Sequence, residues 1–143
     1  NARRAMERLL GLRILPIVNE NDTVATQEIR FGDNDRLAAL VAQLIQADAL
    51  VLLSDVDCLY TKPPTDPTAE PIDIIKADAD LAGLEFGATV VNSVGTGGAA
   101  TKASAARLAA ASGIGALVTS ADLVDRALNG EEIGTWFEPA VTA

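Results

Sequence analysis

The run Ala49-Leu50-Val51-Leu52-Leu53 is apolar at every position. A strand with one wet face alternates polar and apolar residues, whereas a strand apolar throughout is covered on both sides, as in a parallel sheet layered by helices. A helical pattern from Asp35 to Gln46 leads into this run. Leu37, Val41, Leu44 and Ile45 fall on one face of it, Arg36 and Gln43 point away, and Asp33 or Asn34 is placed to cap it. The arrangement recurs further on. An Ala-rich helix reaches about Ser112, Gly113 stops it, and Ala116-Leu117-Val118-Thr119 reads as another strand. Helix then strand, repeated, implies an α/β fold: a mostly parallel sheet with helices on both faces. Aromatic residues are only 3% of the chain, so Ala, Leu, Val and Ile must build the core. The 143 residues fit one compact domain.

Ala2 to Leu10 reads as the end of a helix, with Gly11 as its stop. Ile14-Leu15-Pro16-Ile17-Val18 is a buried strand. Asn19 to Asn34 is a polar loop, with a short hairpin around Thr23 to Phe31. Ser54 to Pro71 is a long loop punctuated by Pro63, Pro64, Pro67 and Pro71. Ile72 to Ile75 is a short strand and Asp78 to Leu84 a short helix. Ala121 to Leu128 is a helix ended by Asn129-Gly130, and Gly134-Thr135-Trp136-Phe137 is a final extended piece. The chain opens inside a helix with no leading strand, so the sheet is expected to be incomplete.

Charge and residue usage remove several classes of function. With 11 basic and 20 acidic residues the net charge is −9, which argues against a nucleic-acid or anionic-membrane surface. There is no histidine, which excludes a histidine base, a Ser-His-Asp triad and histidine-ligated zinc. The single cysteine, Cys58, cannot form an intrachain disulfide, in keeping with a cytoplasmic protein. Every wholly apolar stretch is far shorter than the roughly 20 residues of a membrane helix.

Four polar clusters sit at element ends. Val94-Gly95-Thr96-Gly97-Gly98-Ala99-Ala100-Thr101-Lys102 opens into the Ala-rich helix. Glycines let the backbone approach a ligand, orphan N–H groups and the helix dipole favour an anion, and Lys102 adds a full charge. Phosphate fits that combination; a flexible loop capping a surface helix fits the glycines alone. Asn19-Glu20-Asn21-Asp22 follows an apolar run, where open α/β sheets bind ligands, though Asn and Asp also form turns. In Gly32-Asp33-Asn34-Asp35 one side chain suffices as a cap, and the surplus suits an amine or a metal ion. Ser54-Asp55-Val56-Asp57, with Leu59-Tyr60-Thr61 beyond, suits a ribose or a metal, or is simply a turn. Together the clusters outline a two-substrate site, with phosphates at Thr96 to Lys102 and an amine- or carboxylate-bearing acceptor near Asp22 and Asn34.

Pro16-Ile17-Val18-Asn19-Glu20-Asn21-Asp22, Gly32-Asp33-Asn34-Asp35, Leu53-Ser54-Asp55-Val56-Asp57-Cys58-Leu59-Tyr60-Thr61 and Gly95-Thr96-Gly97-Gly98-Ala99-Ala100-Thr101-Lys102 resemble, in order and spacing, the glutamate 5-kinase group of the amino acid kinase family. The resemblance spans nearly the whole chain. It implies transfer of the ATP γ-phosphoryl group to the γ-carboxylate of L-glutamate, giving L-glutamyl 5-phosphate for proline synthesis. By that likeness Asp22 and Asn34 contact glutamate, with Asn19, Asp33 and Asp35 close by. Ser54 and Asp55 line the ATP site, Thr96, Gly97, Gly98, Ala99, Ala100, Thr101 and Lys102 hold phosphates, and Lys102 is the catalytic cation. Mg²⁺ accompanies ATP. Residues 1–143 would be the C-terminal, nucleotide-binding portion of the kinase domain, without the PUA-like domain that follows it in many members. Little activity is expected of that portion by itself, and a homo-oligomer is expected of the full-length protein.

Two departures stand out. Cys58 occupies a position where the family usually has Gly, so a turn needing positive φ there would be strained. Lys62-Pro63-Pro64 replaces a common Asp-Pro. Other readings are a sibling kinase with another acidic or phosphorylated acceptor, a non-catalytic nucleotide-binding module, and a dinucleotide-binding oxidoreductase. The last would need its glycines after the first strand and an acidic residue on the next.

Overall fold

The computed structural model describes residues 1–19, 33–63, 65–81 and 98–141, with the Asp33 side chain left out. Its helices are α1 (Ala2–Gly11), α2 (Asp33–Ile45), α3 (Gly98–Ala111) and α4 (Val124–Leu128). Its strands are β1 (Ala49–Ser54), β2 (Leu59–Tyr60), β3 (Pro71–Ile72), β4 (Ile74–Ile75), β5 (Gly115–Ser120) and β6 (Thr135–Phe137). A 4-stranded sheet runs in the order β1-β5-β6-β4, and β2 and β3 form a separate 2-stranded antiparallel sheet. β1 and β5 are parallel with Leu52 opposite Val118 and Ser54 opposite Ser120; β4 and β6 are also parallel, and β5 and β6 antiparallel. The expected mostly parallel α/β sheet with helices is therefore present.

All four helices close in the same way. The residue two beyond the helix end, or the first for α2, takes a positive φ: Arg13, Gln46, Gly113 and Gly130. The next N–H then reaches back to the carbonyl five residues earlier, in the pairs Ile14 to Leu9, Ala47 to Ala42, Ile114 to Ala109 and Glu131 to Arg126. This closure satisfies carbonyls the helix leaves unpaired and turns the chain sharply. After α2 and α3 it feeds straight into β1 and β5. Each helix thus packs antiparallel to the strand that follows, with its N-terminus at the strand's carboxyl end.

Alanine makes the close packing possible. Ala39 and Ala42 of α2, and Ala103, Ala105, Ala106, Ala109 and Ala110 of α3, are buried with Leu52, Val118 and Phe137. A side chain without χ freedom loses no rotamer entropy on burial, so this small-residue core costs little to order.

Several expected elements differ. Ile14 to Val18 is not a strand; Leu15 is 80% and Ile17 90% exposed, and no strand among the described residues pairs with the segment. An apolar run becomes a strand only where a neighbour satisfies its backbone. α2 starts at Asp33, so Asp33 and Asn34 lie inside the helix rather than capping it. Gln43 faces α3, where its Nε2 donates to Ser112 Oγ at 2.7 Å and to the Leu108 carbonyl at 3.3 Å. Arg36 is exposed as expected. Of the expected helix Asp78 to Leu84, the described residues 78–81 are not helical and 82–84 lie outside the described residues; the Arg107 guanidinium donates to the carbonyls of Lys76 and Ala79. A turn occupies residues 121–123, so α4 is shorter than expected. The expected Ile72–Ile75 strand is two short strands either side of Asp73. Asp22, Thr96 and Gly97, the proposed hairpin around Thr23 to Phe31, and Val90-Val91 lie outside the described residues.

Candidate functional site

Because α2 and α3 both begin at the carboxyl ends of the strands that follow them, their first turns meet. Thr101 Oγ1 donates to Asp35 Oδ2 at 2.9 Å, and Lys102 Nζ donates to the same oxygen at 3.3 Å. Residues 66 and 67 positions apart are thereby joined. The Lys102 and Asp35 side chains are only 15% and 16% exposed. α3 starts at Gly98, so Gly98, Ala99, Ala100 and Thr101 form its first turn and supply the N–H groups without an intrahelical acceptor. A cation, a hydroxyl and a helix N-terminus thus share one corner, an arrangement suited to an anion. Asp35 fixes the ammonium there and adds a carboxylate at the favourable end of α2.

Beside this corner lie the strand ends. Ser54, the last residue of β1, donates from Oγ to Asp55 Oδ1 at 3.3 Å and accepts from the Val56 N–H at 3.4 Å. Asp55 itself is exposed. Ser120 ends β5 opposite Ser54, and its Oγ is buried without a hydrogen-bond partner among the described residues. The chain leaving β1 crosses the end of the sheet. Thr119 Oγ1 donates to the Asp57 carbonyl at 3.3 Å, and the Leu59 N–H donates to Thr135 Oγ1 at 2.9 Å. Neither threonine was singled out by the sequence, because an uncharged hydroxyl inside an apolar strand carries no motif.

Cys58 is partly buried. Among the described residues only Arg13 and Gln46 combine a side chain with positive φ, so the strain expected at Cys58 does not arise. Burial pushes its thiol above the ordinary range, and the Asp57 and Asp73 carboxylates act in the same direction. A hydrogen bond to Cys58 raises the Tyr60 hydroxyl in turn.

A cavity of about 570 Å³ lies between α1, residues 15–19, α2 and the start of β1. Its walls are mainly apolar, from Met6, Leu10, Leu15, Val41 and Ile45, with Asn19 and Asn34 also lining it. Two of the expected acceptor residues are therefore brought together. No group of three or more His, Cys, Asp or Glu suited to a metal ion occurs among the described residues.

The amino acid kinase family model matches residues 1–120. The chain is 66% identical over 139 residues to the glutamate 5-kinase of Clavibacter michiganensis subsp. michiganensis, covering 97% of this chain and 53% of that protein. It is 65% identical over 140 residues to the glutamate 5-kinase of Leifsonia xyli subsp. xyli, covering 98% and 52%. The chain thus spans about half the length of these curated relatives. Among solved structures, a carbamate kinase from Giardia lamblia bound to AMP-PNP superposes with a TM-score of 0.68 at 23% identity, covering 96% of this chain and 49% of that one. A UMP kinase from Bacillus anthracis superposes with a TM-score of 0.59 at 17% identity, covering 99% and 52%. These two likenesses concern the fold. By the family model, which covers most of its length, the chain belongs to the amino acid kinase family.

Proposed function

We propose that this chain is the nucleotide-binding portion of a glutamate 5-kinase, which phosphorylates the γ-carboxylate of L-glutamate with ATP to give L-glutamyl 5-phosphate. The observation that carries the reading is the junction of Asp35, Thr101 and Lys102. It joins the segment expected to face the acceptor to the segment expected to hold phosphates. The names of the relatives support the choice of acceptor.

The chemistry suits the residues present. A carboxylate of pKa about 4.3 is ionised at neutral pH and attacks without a general base. The absence of histidine is then no obstacle. Phosphoryl transfer depends on positioning and on stabilising charge over the moving group. Lys102 and the N–H groups of Gly98 to Thr101 supply that stabilisation. Asn34 and Asn19, with Asp22, Asp33 and Asp35, serve the amino-acid acceptor, and Ser54 with Asp55 the nucleoside side. Mg²⁺ is held largely by substrate phosphates and water, with one or two carboxylates. The ion would neutralise phosphate charge during transfer. A cytoplasmic location and the proline pathway accompany this reading. No helix among the described residues is long and apolar enough to cross a membrane.

The test is an acceptor panel. The full-length protein is given ATP with L-glutamate, carbamate or UMP, and ADP release is followed. Release that depends on L-glutamate alone is expected. Release with UMP or carbamate but not glutamate would replace the proposed acceptor, and nucleotide binding without release would make the protein a binding module.

A further inference from the structure

Gly134-Thr135-Trp136-Phe137 begins beyond the residues matched by the family model and has no part in the reaction as described so far. Its geometry is nevertheless directed at the nucleotide side of the site. Thr135 is fully buried at the start of β6, and its hydroxyl makes two bonds at once. It accepts from the Leu59 N–H at 2.9 Å and donates to the Ile72 carbonyl at 2.6 Å. Leu59 and Ile72 face each other across the β2–β3 pair, so one side chain ties both strands to the main sheet. From the neighbouring strand, the equally buried Thr119 holds the Asp57 carbonyl at 3.3 Å. The segment 55–60, which starts with Asp55 and ends with Tyr60, is thereby pinned from two strands.

Gly134 makes the approach possible. It has φ +77°, and a Cβ built there would lie 2.5 Å from the Val118 carbonyl oxygen and 2.9 Å from Thr119 Cβ. Only glycine lets β6 come this close to β5 just before Thr135. A hydroxyl that donates and accepts in a dry setting is directional. It sets the height of the segment above the strand ends in a way that an apolar contact of equal size does not.

We propose that Thr135, assisted by Thr119, is a positioning residue that sets the segment 55–60 for nucleotide binding. It acts through Leu59 and Ile72 rather than by touching the nucleotide. The inference rests on the reading of Ser54 and Asp55 as the nucleoside side. The full-length protein is compared with its Thr135→Val, Thr135→Ser and Thr119→Val variants. The readouts are equilibrium binding of a non-hydrolysable ATP analogue and the KM values for ATP and glutamate. Thr135→Val should weaken analogue binding and raise KM for ATP about fivefold, the ratio expected for one misplaced hydrogen bond. KM for glutamate should stay unchanged. Thr135→Ser, which keeps the hydroxyl, should match the wild type, and Thr119→Val should show a smaller shift in the same direction. If Thr135→Val does not fold, Thr119→Val alone carries the comparison. Unchanged nucleotide affinity in the variants that fold, an equal rise in both KM values, or a wild type that binds no analogue would overturn the proposal. Analogue binding needs no acceptor, so failure to phosphorylate glutamate would refute the proposed reaction and leave this comparison intact.

Discussion

Where α2 meets α3, Asp35, Thr101 and Lys102 hold one another largely through charge; across the ends of β5 and β6, residues 57–60 are held by the neutral hydroxyls of Thr119 and Thr135. The first region has a full cation and a full anion, both largely shielded from water. The second has backbone groups paired with side-chain oxygens, and no ion pair takes part in its ties. The contrast matches what each side would meet. A triphosphate is recognised by charge, and its binding is worth more where water is excluded. A nucleoside is recognised by shape and by a few directed hydrogen bonds, which need a rigid frame more than a field.

The largest effect should come from breaking the charged region. Lys102→Ala in the full-length protein is expected to lower kcat by about 10²–10³, the usual loss when one charge-stabilising donor is removed from a transfer site. KM for glutamate should change little. Steady-state kinetics with L-glutamate check this, and a fall confined to KM for ATP would reduce Lys102 to ground-state binding. A smaller effect is expected in the neutral region. The Cys58 thiol is raised chiefly by burial, so at pH 8 it carries less thiolate than a free cysteine. Alkylation by iodoacetamide should be slower than for a free thiol, and its rate should climb to a plateau at higher pH. A rate profile matching free cysteine would show that the segment is open to water.

Much of this arrangement could be read from the residues, and what could not has physical reasons. β1, β5 and α3 were legible because continuous apolar runs and an Ala-rich stretch leave few alternatives. The equally apolar Ile14 to Val18 is no strand, since the outcome depends on a neighbouring strand rather than on the segment's own composition. β2 is two residues long inside a proline-punctuated loop, too short to show any period, whereas β4 and β6 lie in Ile72 to Ile75 and Gly134 to Phe137, which read as extended. Gln43 looked like a solvent residue because polarity, not partner, was all the pattern revealed; Ser112 is its partner across 69 positions. In the site, the charged residues were legible one cluster at a time. That Asp35 belongs with Thr101 and Lys102 follows only once both helices are seen to begin at the same end of the sheet. Thr119 and Thr135 were invisible, being uncharged and embedded in strands.

The first turns of α2 and α3 meet in one corner, joined through Asp35. A double-mutant cycle tests it directly, using Asp35→Asn, Lys102→Met and the pair in the full-length protein, with unfolding free energies from urea titration. Residues that share a shielded ion pair should couple by about 1 kcal/mol or more, because each single variant leaves the other charge uncompensated and the double variant does not. A coupling within about 0.3 kcal/mol of zero, with the single-variant effects simply adding, would contradict the account.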